Sequence, residues 1–167
     1  MKFNSKVVSI VVGLAFALSS SLAPATAGSS YDSSFDKGIS GVDKDEDGVR
    51  DDIQAYLNTR YSGYPILRGE MGRYSVALVQ LMLAKTVTEM MDAAKILDAS
   101  KYCAIGWGYS EEEFIQHSSH IYTMQVNTRK RMLAAAKAER TIVSFQKVQS
   151  RTKQYISYCE KEKTAQN

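Results

Sequence analysis

The chain has 167 residues with two cysteines, two prolines and one tryptophan, and its 21 lysines and arginines stand against 18 acids for a formal net charge of +3. That length fits one domain and argues against two. So small a charge excludes the strongly basic footprint of a nucleic-acid binder.

The first predicted element is an export signal over residues 1–27. Lys2 and Lys6 make a short positive start, Val7 to Leu18 is an apolar and small-residue run, and Ala25-Thr26-Ala27 is a small-x-small cleavage site. The apolar run is too short for a bilayer-spanning helix, and no later run approaches the required ~20 apolar residues. Cleavage after Ala27 would deliver a periplasmic or secreted protein with no transmembrane segment in the mature chain. Loss of Lys2 and Lys6 leaves 19 bases against the same 18 acids, a net charge of +1.

Residues 28–42 are rich in Ser, Gly and Asp and read as a flexible N-terminal arm. Residues 43–54 form an acidic, calcium-type loop, Asp-Lys-Asp-Glu-Asp-Gly-Val-Arg-Asp-Asp-Ile-Gln. Calcium is a hard cation that takes six to eight oxygen ligands. Carboxylates at the alternate positions Asp43, Asp45 and Asp47 can converge on one point, and Gly48 permits the sharp turn that follows. The Val49 carbonyl falls at the seventh position, and Asp51 at the ninth is placed to act through water. Without a cation, so many neighbouring carboxylates would repel one another.

Asp43-x-Asp45-x-Asp47-Gly48 resembles the calcium loop of EF-hand proteins and of extracellular relatives such as dockerin and thrombospondin type 3 repeats. Asp47-Gly48-Val49-Arg50-Asp51-Asp52 also resembles a loop near the start of small exported bacterial proteins of no known activity. The resemblance implies a Ca2+ site drawing on Asp43, Asp45, Asp47, Val49, Asp51, Asp52 and Gln54. It departs from the EF-hand pattern at the twelfth position, where Gln54 replaces a bidentate glutamate, with Asp52 as the nearest compensating acid. No entering helix is expected from residues 29–41, so the loop is expected to be single.

The helical domain is expected over residues 53–163 as a small all-α bundle of four to five helices. Ile53, Tyr56 and Leu57 mark a first short helix, which Ser62-Gly63-Tyr64-Pro65 breaks. From about Leu67 to Ser100, apolar residues recur at helical spacing around a wide arc, which predicts one central helix covered on more than one side. Ser110 and Glu113 make a capping box for the next helix, which runs to about Val126. Trp107, between two glycines, reads as an aromatic plugged into the core from an interhelix turn. A further helix is expected from Arg129 to about Arg140, with the β-branched run from Thr141 to Phe145 a candidate extended stretch. Ser150 would cap a last helix bearing Tyr155, Ile156 and Cys159. In an oxidising compartment, Cys103 and Cys159 are expected to pair as the one disulfide. That bond would close a 57-residue loop and contribute roughly 4 kcal/mol in the chain-entropy model.

The leading reading is an exported calcium-binding protein with a structural or protein-interaction role and no catalytic activity. Its partner would be an envelope or cell-surface protein. One alternative is a small periplasmic metal-dependent hydrolase using Glu113, His117 and His120, which lie close to one line on a helix. Another is a basic helical module on anionic envelope surfaces. It draws on the charge asymmetry of the chain, in which residues 127–167 hold ten bases and three acids. The surface reading requires the bases to align on one face.

Overall fold

The computed structural model describes residues 33–145. Among them are five α-helices, one 3-10 turn at Ser33–Asp36 and no strand. The helices are α1 (Asp51–Arg60), α2 (Pro65–Leu83), α3 (Val87–Gly106), α4 (Glu111–Gln125) and α5 (Arg129–Phe145).

Helix α2 is the hub and packs against all four others. Pro65 occupies its first turn, where a missing N–H costs no hydrogen bond. Its apolar residues serve three clusters. Leu67 and Met71 join Val49, Ile53, Leu57 and Tyr61 from the loop and α1, with Phe114 and Ile121 from α4. Leu81 packs with Met90, Ala93 and Ala94 of α3 and with Ala138 and Ile142 of α5. Met82 meets Val126 and Ala135, and Ile39 packs against this third cluster.

The single helix expected over residues 67–100 is two helices. The chain leaves the first at Ala84, whose ψ is 133°, and re-enters a helix after Thr86. Thr86 Oγ1 accepts from the Glu89 amide at 3.2 Å, while Glu89 Oε2 accepts from the amides of Thr86 at 3.1 Å and Lys85 at 2.7 Å. This capping box satisfies the orphan N–H groups of a helix start, and so permits a hairpin where the apolar pattern runs on unbroken. The Ser110–Glu113 box forms as expected at the start of α4. Backbone hydrogen bonds to both glutamates hold their carboxyls below the usual range.

Two other expectations change. Helix α5 continues through the β-branched residues to Phe145, because Ile142 is buried against α2 and α3 and packing overrides local preference. Trp107 caps the end of α3 and is 42% exposed, so it does not plug the core.

Cys103 is buried in α3, within 3.8 Å of Arg73 Nη1. Its expected partner Cys159, the last helix and residues 1–27 lie outside the described residues.

The arm ends in ordered contacts. Arg131, fully buried at the start of α5, donates to the carbonyls of Phe35 at 2.9 Å and Ile39 at 3.0 Å and to Asp36 Oδ1 at 3.2 Å. Its Nη1 also meets Asn127 Oδ1 at 2.6 Å. Residues 35–39 are therefore strapped across the start of α5. This strap leads directly into the acidic loop.

Candidate calcium site

The loop is built from both ends. On entry, the Asp51 amide donates to the Val42 carbonyl at 2.9 Å, which closes the base of the loop. On exit, Val49 buries its side chain among Ile53, Leu57 and Met71, so the core anchors the seventh loop position. Between these points the chain reverses through Glu46 and Gly48, at φ 59° and 87°. Glycine adopts such angles without the Cβ penalty. The Gly48 amide donates to Asp43 Oδ2 at 2.9 Å, and the Val49 amide to Asp47 Oδ1 at 2.7 Å.

These turns bring Asp43, Asp45 and Asp51 together. Each contributes one carboxylate oxygen, and the three atoms lie within 4.8 Å of one another. Asp43 Oδ1 is buried and accepts no hydrogen bond. A buried acceptor without a donor is costly, and a cation beside it would remove that cost. Asp51 Oδ1 accepts from the Lys44 amide at 3.0 Å, while the Lys44 ammonium lies 3.8 Å from Asp51 Oδ2 on a largely solvated side chain. Reduced hydration in the crowded loop, followed by the charge of Asp47 and the close approach of the Asp43 side chain, raises the Asp45 carboxyl above its ordinary value.

The other expected ligands are placed differently. Asp47 stands outside the converging trio and caps the Val49 amide. Asp52 turns to Arg50, which grips its carboxylate through Nε and through Nη2 at 2.8 Å; Asp52 Oδ1 also accepts from the Ile53 amide. Gln54 borders a neighbouring open cleft of about 380 Å³, together with Asp47, Asn58, Pro65 and Arg68. Position nine thus joins positions one and three, while position ten belongs to an ion pair.

Arg50 is the residue that the loop pattern does not reveal. It is 1% exposed, and its Nη2 also donates to the Met124 carbonyl at 2.8 Å, which ties the loop to the end of α4. Gly41 makes room for it. A Cβ there would lie 2.2 Å from Arg50 Cδ and 2.9 Å from Arg131 Nη2. The loop entry therefore passes between two buried guanidinium side chains, one holding α4 and the other holding the strap.

Glu113, His117 and His120 do not form a comparable set. Glu113 is committed to the capping box. His117 Nδ1 is 3.0 Å from the Tyr61 hydroxyl, and His120 stacks on Tyr56 with ring centroids 4.7 Å apart. Burial, then the nearby Arg60 charge, lowers the His117 pKa despite the opposing pull of Glu113. Among the described residues, the aspartate trio is the one group of acids, histidines and cysteines with metal-ligand spacing. No helix among them is long and apolar enough to cross a membrane.

No family model, curated protein or solved structure matches the chain.

Proposed function

We propose that the protein is an exported, non-enzymatic calcium-binding protein in which one Ca2+ sits in the loop of residues 43–54 and serves a structural role. The observation that carries this reading is the convergence of Asp43, Asp45 and Asp51 around a buried, unpartnered Asp43 oxygen. The Val49 carbonyl and water would complete the oxygen shell. With Asp52 held by Arg50 and Gln54 in place of a glutamate, the site has fewer charged ligands than a full EF-hand. Its affinity accordingly falls in the extracellular range of about 10⁻⁴–10⁻³ M. Bound calcium would lock the loop between the strap and α1 and present an ordered surface to an envelope or cell-surface protein.

Export follows from the signal-like start of the sequence, and the same compartment favours pairing of Cys103 with Cys159. Mass spectrometry after alkylation, with and without reductant, tests the pairing. Two cysteines alkylated without reductant would refute it.

Calorimetric titration with calcium tests the main reading. One site of sub-millimolar to millimolar affinity is expected in the wild type and none in Asp45→Ala. Absence of binding heat at millimolar calcium, with both proteins alike, would refute the proposal.

A further inference from the structure

We infer that the outer face of α5 is a docking surface for an anionic lipid bilayer. This inference is independent of the calcium loop. At 100° per residue, the helix turns Arg131, Ala135, Ala138 and Ile142 into the protein, where all four are buried. The opposite side is solvent-exposed and carries Arg129, Lys130, Lys137 and Arg140. The one acid of the helix, Glu139, is only partly exposed and accepts from the Tyr122 hydroxyl at 3.0 Å. The exposed bases consequently face solvent without an exposed acid on the same helix.

Large apolar side chains share this face. Met132, Leu133 and Val143 are 57%, 59% and 54% exposed. By helical geometry, Arg129, Leu133 and Arg140 run along its middle, Met132 and Val143 along one flank, and Lys130 and Lys137 along the other. Solvation accounts for the bases, while the three apolar groups beside them gain nothing from water. A polyanion would engage the bases and leave those groups wet. An anionic bilayer satisfies both kinds of side chain: the bases meet headgroup phosphates, and the apolar groups enter the boundary between headgroups and acyl chains. The inward half of α5 remains packed on α2 and α3, so the helix would lie along the membrane surface without crossing it.

The test is sedimentation of the purified protein with vesicles of phosphatidylcholine alone and of phosphatidylcholine with phosphatidylglycerol. Chelator is present throughout, to exclude calcium bridging. Binding is expected only to the anionic vesicles. Lys137→Gln with Arg140→Gln should weaken it roughly tenfold or more, since each base near such a surface contributes a several-fold effect. Met132→Ser with Leu133→Ser should weaken it about tenfold. All four positions are exposed, so melting temperatures should stay near that of the wild type. Three outcomes would overturn the inference. The first is absence of binding, or equal binding to both vesicle types. The second is binding unchanged by the apolar pair and displaced by inorganic polyphosphate, which marks a polyanion surface. The third is a dimer in solution that the apolar pair abolishes, which assigns the face to a second copy of the chain.

Discussion

Asp43 uses its two carboxylate oxygens differently: Oδ2 accepts from the Gly48 amide at 2.9 Å, while Oδ1 is buried with no hydrogen bond. One oxygen closes the loop on itself, and the other lies out of water without a donor. Folding therefore leaves a carboxylate oxygen that a cation beside it would satisfy. The same asymmetry separates the residues that shape the loop from those that would hold calcium.

Gly48 belongs to the shaping group. At φ 87°, a Cβ would sit 3.3 Å from Val76 Cγ2 as well as in a conformation that L-residues disfavour. Gly48→Ala is expected to cost about 1–2 kcal/mol and to weaken calcium binding through displacement of the amide that holds Asp43. Chemical denaturation and a calcium titration on the same variant would show both losses together.

Asp51 and Asp52 are neighbours with opposite assignments. Asp52→Ala leaves the buried Arg50 guanidinium without its carboxylate and is expected to cost about 3 kcal/mol, with a similar calcium-induced stabilisation remaining. Asp51→Asn should change stability little in chelator and remove most of the calcium effect. Denaturant melts of the two variants, each with calcium and with chelator, separate these patterns. Gly41→Ala should resemble Asp52→Ala, because its methyl group displaces Arg50 and Arg131.

The two capping boxes are local and independent of the loop. Thr86→Ala and Ser110→Ala should each cost about 1 kcal/mol, with no effect on calcium affinity. The carboxyls of Glu89 and Glu113 are held below their ordinary value, so their stabilisation is present above the unfolded-state pKa and lost as pH falls through the lowered folded-state values. Acid melts of Glu89→Gln and Glu113→Gln should accordingly be less pH-dependent than those of the wild type.

Local patterns were legible in the sequence. The Ser110–Glu113 box, the Pro65 break and the aspartate spacing each involve residues a few positions apart, and the all-helical class follows from periodicity. The break at Ala84 was hidden because both arms of the α2–α3 hairpin are apolar. The available signal was Thr86 with Glu89, a second capping box inside an apparently continuous stripe. Long-range partners left no local trace. Arg131 holds Phe35 and Ile39 from the far end of the chain, and Arg50 reaches the Met124 carbonyl. The diversion of Asp52 away from the aspartate trio depends on the burial of Arg50, which no spacing rule reports.

His117 supplies a pH test away from the loop. Its folded-state pKa lies below the ordinary 6.5, chiefly through burial, and the ring meets the Tyr61 hydroxyl. Because the unfolded state binds the proton more readily, this contribution to stability is present above pH 6.5 and is lost as pH falls through the lowered value. NMR titration of the His117 ring should show a midpoint below 6.5 in the wild type. A midpoint above that value would contradict the placement.

Thermal unfolding of the wild type and Asp45→Ala, in chelator and in about 10 mM calcium, shows whether the loop holds a stabilising ion. For a site of about 10⁻⁴–10⁻³ M, linkage predicts a stabilisation of roughly 1.4–2.7 kcal/mol. The wild type should therefore melt several degrees higher in calcium, while Asp45→Ala should melt at the same temperature in both. Equal melting of the wild type in calcium and chelator, or an equal calcium shift in Asp45→Ala, would contradict a structural calcium ion in the loop.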